Sequence, residues 1–540
     1  MMRPLTLLVL LLAALYATGH WWRLGQPVAV ADAPSKRIAC VSYAPFRLPG
    51  ETPFDKDAFV SPARIEQDLR ALSQAFDCVR TYSVSQGLAA VPAIAEKLGV
   101  KVLLGIWIGR DRVENERELA TAIEVAKAHR GAIRAVIVGN EVLLRKELPA
   151  QALAHHIHRV KNATGLPVTY ADVWEFWLQH KEIAPAVDFV TAHILPYWED
   201  EPVAIEHSVP HVADVYAKVR AAFPGKTILI GETGWPSAGR QRRGAVPGLV
   251  NEARFIREFL GWAAQAQVPY NVIEAFDQPW KRRLEGTVGG YWGLFGSNLE
   301  PKFALQGPVV EDRAWVAGIA GGGLVAFAFV LLPLLTGRRP GMRGAALLGL
   351  AGYGTGAALT AQVKEMFLAN RDALEWAVTG AYTGLAFVTA FMLALTLAPW
   401  IDGKRPTVWP MSLAERRNSS WSPDSRWLGW ARFAWLFGAA VVALLLVFDA
   451  RYRDFPLALF APAGVGFALL SLIGDKAGIA RRAGLEERVL AAVIAVCAPV
   501  ILVLERPSNT DAVLWVGLSL LLAAAVFLPG RRARQHQQPH

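Results

Sequence analysis

The pattern of apolar and polar positions changes character once along the chain, near residue 313. Before that point, short apolar, β-branched runs alternate with stretches of helical length. The runs are Ile38–Tyr43, Cys78–Tyr82, Lys101–Ile108, Ile133–Gly139, Pro167–Ala171, Val187–His193, Thr227–Gly231 and Asn271–Phe276. The helical stretches include 62–75, 86–98, 115–130, 149–164, 203–222 and 249–267, the first opened by Ser61-Pro62, a pair that starts helices. Strands alternating with helices of this length predict a parallel sheet joined by right-handed crossovers. Eight such units predict an α/β fold of the (β/α)8 TIM-barrel type. An open doubly wound sheet is the alternative. It calls for a Gly-rich phosphate turn after an early strand, and the chain has neither GxGxxG nor a Walker A sequence.

From Ala314 onward the apolar runs lengthen towards the roughly 20 residues that a bilayer-spanning helix needs. Candidate spans are 314–336, 344–363, 376–400, 429–448, 455–473, 489–504 and 512–529, an all-α transmembrane helical domain. The second is rich in Gly and Thr, and the sixth is short. Upstream only 5–22 qualifies. The expected organisation is an N-terminal membrane anchor or signal segment (1–31), a barrel (32–313), a membrane domain of about seven helices (314–530) and a basic tail (531–540). Ala29-Val30-Ala31 has the small-x-small form of a cleavage site. It lies far from the apolar core of the segment, which favours an uncleaved anchor.

Composition agrees with this division. Hydrophobic residues make up 53% of the 540 and charged residues only 19%, which excludes both a wholly soluble chain and a disordered one. The net charge of +10 invites a nucleic-acid reading until the charges are located. Arg338, Arg339, Arg343, Lys404, Arg405, Arg416, Arg417, Arg426, Lys476, Arg481, Arg482, Arg488, Arg531, Arg532 and Arg534 fall on one side of the expected spans. The alternate loops hold only Lys364, Arg371, Arg451, Arg453 and Arg506. The positive-inside bias makes the first side cytoplasmic, and Arg3 holds the N-terminus there too. The barrel then faces away from the cytoplasm, towards a periplasm if the cell has one, and nucleic acid is not an expected partner. Within the spans, Arg432 and Asp449 lie near helix ends, where they can snorkel to the interface.

Three cysteines cannot form a disulfide framework, and no CxxC or Cys/His metal spacing occurs. Cys40 and Cys78 fall on neighbouring strands, where parallel pairing rarely gives disulfide geometry, so buried thiols are expected. Cys497 lies within a span and is expected to pack. His155, His156 and His158 are expected to be surface residues of a helix. Neither metal nor cofactor is expected. The basic run Arg240-Gln241-Arg242-Arg243 is expected to be solvated, with anionic headgroups or charged glycan substituents as the alternative.

A barrel places its chemistry at the C-terminal ends of its strands. Strand four ends in Val138-Gly139-Asn140-Glu141, strand seven in Gly231-Glu232-Thr233-Gly234-Trp235-Pro236, and strand eight in Glu274-Ala275-Phe276-Asp277. Trp107, Trp174, Trp177, Tyr197, Trp198, Trp235, Trp280 and Trp292 collect at these mouths. Carboxylates ringed by indoles point to a carbohydrate. Two carboxylates on facing strands suit acetal cleavage, with a gap of about 5–5.5 Å implying retention and a wider one inversion.

These blocks resemble the signature strands of glycoside hydrolase family 17, the β-1,3-glucanases and glucanosyltransferases of plants, fungi and bacteria. Further matches follow in the same order: Val79-Arg80-Thr81-Tyr82, Leu104-Gly105-Ile106-Trp107, Pro196-Tyr197, Gly293-Leu294-Phe295 and Pro301-Lys302-Phe303. The resemblance covers roughly 38–305. It implies a (β/α)8 barrel and a retaining mechanism with Glu141 as acid/base and Glu232 as nucleophile. It also implies that Asn140 hydrogen-bonds the hydroxyl beside the reacting carbon, and that Tyr43, Tyr82, Tyr197, Trp235 and Phe276 line the cleft. Glu274, Lys281 and Glu285 match charged positions near the site. His193 and Leu195 depart from the pattern, standing where many members carry Asn and Tyr.

The resulting expectation is a membrane-anchored retaining glycosidase or transglycosylase acting on β-1,3-glucan, remodelling or branching (1,3;1,6) glucans. Its partners would be β-glucan, membrane lipids and a glucan synthase or export complex. A non-catalytic glucan sensor and a glucan export component are the alternatives.

Overall fold

The computed structural model describes residues 2–404, 408–412, 422–477 and 483–527. The expected basic tail 531–540 lies outside the described residues, as do Arg405, Arg416, Arg417, Arg481, Arg482 and the end of the span 512–529. The chain forms two compact units, one of Pro27–Val309 and one of Met1–Gln26 with Val310–His540.

In the first unit, seven parallel strands pair in sequence order. They are β1 (Val41–Ser42), β2 (Cys78–Arg80), β3 (Lys101–Ile106), β4 (Ile133–Asn140), β5 (Val168–Val173), β6 (Val190–His193) and β7 (Ile228–Glu232). The eighth apolar run pairs less regularly, yet it closes the ring. Tyr270 bridges to Ile230 and Val272 to Val41, while the Ser42 and Ala275 amides donate to Val272 and Ser42 carbonyls at 2.9 Å each. The fold is therefore a parallel barrel wrapped by helices. Local chemistry sets the helix starts. Ser61 caps the helix Pro62–Leu72, and Asp111 caps Arg112–Ala128 by accepting from the Val113 and Glu114 amides.

Strand alternation divides the buried side chains into two sets. Val102, Leu104, Ile106, Val136, Val138, Val168, Val190 and Ile230 face the helices in one large cluster. Cys40, Cys78, Leu103, Ala135, Ile137, Ala171 and Leu229 form a separate small one, which fills the barrel interior. Cys40 and Cys78 are joined by a disulfide with Cα atoms 4.3 Å apart, which corrects the expectation of buried thiols. The reason is register. Val41 stands opposite Val79, so the two cysteines are direct neighbours with their side chains on the same face. Arg257 of the helix Leu249–Ala266 donates to the carbonyls of Ala304 (Nε, 3.1 Å), Gly307 (2.7 Å) and Val30 (3.4 Å), tying together the segments that enter and leave this unit.

Among the described residues the second unit is helical, and five of the helices there are long and apolar enough to cross a membrane by length and composition: Met2–Leu24, Val316–Leu335, Ala373–Ile401, Pro423–Phe448 and Leu485–Glu505. Leu457–Ile473 and Thr510–Val526 are apolar but shorter, and Met342–Ala369, the Gly- and Thr-rich stretch, is not among the five. The N-terminal helix packs within this unit. Thr18 Oγ1 lies 2.7 Å from the Tyr353 hydroxyl, and Trp21 is buried against Gly318, where a Cβ would have no room. Arg432 does not snorkel. It is 5% exposed and makes a two-pronged ion pair with Glu487, Nε to Oε1 at 2.7 Å and Nη2 to Oε2 at 2.8 Å. A carboxylate supplied by the next-but-one helix makes the interior the better place for that guanidinium.

Candidate active site

The mouth of the barrel is built from β2, β4, β5, β6, β7 and the closing segment. Inside β7, Gly231 leaves space for an imidazole, because a Cβ there would lie 2.9 Å from Nδ1 of His193. At the end of β4, Gly139 (φ +86°) and Glu141 (φ +53°) both adopt left-handed backbone, which turns the chain sharply around Asn140. These two devices bring Glu141, His193 and Glu232 together. One carboxylate oxygen from each glutamate and one ring nitrogen lie within 4.8 Å of one another.

Arg80 organises the floor of this site. It is fully buried, and its Nη1 donates to Glu232 Oε1 (2.8 Å) and to the Gly231 carbonyl (2.9 Å), while Nη2 donates to Asn140 Oδ1 (2.5 Å). The Tyr82 hydroxyl donates to the same Glu232 oxygen at 2.9 Å. His193 Nε2 lies 3.1 Å from Asn140 Oδ1 and 3.7 Å from Glu232 Oε1. Burial lowers its pKa to about 4, so the ring is neutral at pH 7 and donates to Asn140. With two donors on its oxygen, Asn140 has its amide nitrogen left to offer a ligand. The same three acidic and imidazole groups are within reach of one cation. Glu232 Oε1 is already held by a guanidinium and a phenol, however, which reads as a hydrogen-bonded network.

The two glutamates are driven apart in protonation. Burial, reinforced by the charges of Glu232 and Asp172, pushes Glu141 up to about 8 against the opposing pull of Arg145 and Arg80. Burial acts upward on Glu232 as well. There it is outweighed by His193, which acts only while its imidazole is protonated, and by Arg80, the Tyr82 hydrogen bond and Lys281, which together hold Glu232 below the ordinary glutamate value. At neutral pH the pair is one acid and one carboxylate.

The remaining expected residues divide. Glu274 is buried with both oxygens on Lys281 Nζ, at 2.9 and 2.7 Å, and Glu285 acts electrostatically on that lysine and on Glu232. Burial opposes the charge on Lys281, but Glu274 and Glu285 raise its pKa and keep it protonated. Tyr82 is partly exposed beside Glu232. Tyr43, Tyr197, Trp235 and Phe276 are fully buried and present no ring face to solvent. The Tyr43 hydroxyl donates to Asp68, and Trp235 Nε1 donates to the Val246 carbonyl. The Tyr197 hydroxyl donates to the Arg240 carbonyl, while Tyr197 and Trp235 pack edge to face at 5.7 Å. The basic run 240–243 is docked, not solvated: Arg240 is buried, and Arg242 lies over the rings of Tyr197 and Trp198. Among the mouth tryptophans, Trp107 is exposed, with the Arg145 guanidinium 4.3 Å from its ring, whereas Trp177 and Trp292 are buried. His155 and His158 are exposed on their helix.

The family model of the BtgE/BtgC glycoside hydrolase domain matches residues 40–293. A glucan 1,3-beta-glucosidase of Saccharomyces cerevisiae is 26% identical over 269 residues, 46% of this chain and 86% of that protein. A glucan 1,3-beta-glucosidase of Schizosaccharomyces pombe is 27% identical over 44% of this chain and 79% of its own length. Among solved structures, the family 17 beta-1,3-glucanosyltransferase of Rhizomucor miehei is 26% identical, covering 51% of this chain and 98% of that one, with a TM-score of 0.44. The barrel unit is a glycoside hydrolase domain. It is similar to the family 17-like β-1,3-glucanases.

Sequence reasoning named Glu141, Glu232, Asn140 and Tyr82 but passed over Arg80, which lies inside a block it had already singled out. A charged residue within an otherwise apolar strand was the available signal. It noted His193 only as a departure, and Asp172 not at all.

Proposed function

We propose that the chain is a membrane-anchored, retaining enzyme acting on β-1,3-glucan, with the barrel on the non-cytoplasmic side. The observation that carries this reading is the close approach of Glu141 and Glu232 with opposite protonation. Carboxyl groups about 5 Å apart suit a covalent glycosyl-enzyme, whereas inversion requires room for a water between them. Glu141 donates its proton to the leaving glycosidic oxygen while Glu232 attacks the anomeric carbon. Glu141, now a base, then takes a proton from whatever discharges the intermediate. The Asn140 amide nitrogen is free to donate to the hydroxyl beside the reacting carbon, since Arg80 and His193 occupy its oxygen. Water as the acceptor gives hydrolysis, and a sugar hydroxyl gives transfer, including 1,6 branching.

The outward placement is supported by the loop charges and by the Cys40–Cys78 disulfide, since disulfides persist in oxidising compartments. The apolar helices support contact with membrane lipid.

The test is to incubate the full-length protein in detergent with laminari-oligosaccharides, sizing products and following the newly formed anomer by NMR. β-Configured first products are expected. α-Configured first products would replace retention by inversion, and no turnover would remove the enzymatic reading. Products longer than the input would establish transfer.

A further inference from the structure

The turn that carries Glu141 is held from below by two side chains of β5. The Glu141 amide donates to the Ala171 carbonyl at 2.8 Å. Tyr170, on one side of Ala171, accepts from the Leu143 amide at 3.0 Å and donates its hydroxyl to Asp172 Oδ2. Asp172, on the other side, also accepts from the amides of Val173 (Oδ1, 2.8 Å) and Leu144 (Oδ2, 3.4 Å). Both side chains are buried. The two amides of the turn, from Leu143 and Leu144, therefore end on this Tyr–Asp pair. They lie two and three residues after Glu141, a non-glycine residue in left-handed backbone, a conformation that persists only where its surroundings enforce it.

Turn-holding alone does not require a charge, because an amide oxygen would accept the same hydrogen bonds. A buried carboxylate with hydrogen-bond donors but no cation in contact is costly unless its charge is used. The charges acting on Glu141 are Glu232 and Asp172 from the neighbouring strands, opposed by Arg145 and Arg80, with the neutral His193 ring nearby. Those acting on Asp172 are Tyr170, Arg145 and the backbone donors. Glu232 is partly neutralised by Arg80, so Asp172 is the remaining anion behind the acid.

We infer that Asp172 is a positioning residue for Glu141: through Tyr170 and the Leu144 amide it holds the turn in place, and its charge keeps the proton on Glu141 until a leaving group takes it. This rests on the proposed role of Glu141 as the acid. Burial raises Asp172 itself to about 6, so it is ionised at the pH where Glu141 must stay protonated.

The decisive variant is D172N, which keeps an acceptor oxygen and removes the charge. The pH dependence of kcat/KM on laminari-oligosaccharides is compared for full-length wild type, D172N and Y170F. Activity falls on the alkaline side as Glu141 ionises, so losing a neighbouring anion should move that limb downward by about one pH unit in D172N. Y170F keeps the carboxyl but removes the hydrogen bond that favours its ionised form, so it should lower kcat and move the limb downward by less than D172N does. Should D172N fold poorly, Asp172→Ser gives a second uncharged residue with an acceptor, and the same shift is expected. An active wild type whose alkaline limb coincides with those of the uncharged variants overturns the inference alone. A wild type with no turnover overturns it together with the reading of Glu141 as the acid.

Discussion

Arg80 and Glu232 form an ion pair in the barrel floor with both side chains almost wholly removed from water, Nη1 to Oε1 at 2.8 Å. The same guanidinium orients Asn140, so one residue sets the charge of one expected catalytic group and the direction of another. Replacing Arg80 by Gln should lower kcat/KM on the order of a hundredfold, the scale of losing one preorganised electrostatic partner. It should also raise the acidic limb of the pH profile, because Glu232 would ionise less readily. A purely structural role for Arg80 would lower activity with that limb unmoved.

The opposed protonation of the two glutamates makes a second prediction. Activity requires Glu232 ionised and Glu141 protonated. The profile should therefore rise through a pH below the usual glutamate value of 4.5 and fall near pH 8. Glu141→Gln should abolish turnover of laminari-oligosaccharides. Its first step on a dinitrophenyl glycoside should survive and lose the alkaline limb, because that leaving group needs no proton. Retention of the limb in this variant would mean that another group is the acid.

The barrel was legible because eight apolar runs keep step with intervening helices, and the two glutamates because they end strands four and seven. Side-chain direction beyond the strand ends was not legible. Tyr197 and Trp235 occur in the expected blocks, yet their loops fold inward and the rings pack on each other, a parity that no periodicity encodes once a strand stops. Cys40 and Cys78 were assigned to adjacent strands, but whether they face each other depends on a register that only pairing fixes. The eighth run reads as an ordinary strand, although it closes the ring through scattered bridges. Arg432 was expected to reach for the interface because its partner, Glu487, lies 55 residues away on another helix.

The Cys40–Cys78 disulfide bears on compartment as well as stability. Alkylation of the unfolded, unreduced protein should label one thiol, that of Cys497, and reduction should expose all three. The bridge spans 38 residues, a loop whose closure is worth about 4 kcal/mol in the chain-entropy account. C40S/C78S should accordingly lower the unfolding midpoint of the full-length protein and leave the pH limits of activity in place. Labelling of three thiols without reductant, in protein taken directly from membranes, would remove the support that the bridge lends to an outward-facing barrel.

Within the helical unit, Arg432 and Glu487 offer a test of how a buried ion pair behaves between apolar helices. Both side chains are buried, and Glu487 also accepts from the Gly484 amide at 3.2 Å, so it ties the start of its own helix to Pro423–Phe448. Removing one partner leaves the other charge without compensation, which costs about 3–5 kcal/mol, whereas replacing both with apolar residues is often close to neutral. Glu487→Leu alone should sharply lower the thermal unfolding midpoint in detergent. The double variant Arg432→Leu/Glu487→Leu should recover much of the loss, short of what the Gly484 contact contributes. Equal damage from the single and double variants would mean that the pair is held for its helix-start contact and not for its charge. A single variant as stable as wild type would mean that water or lipid headgroups reach Arg432, restoring the snorkelling arrangement.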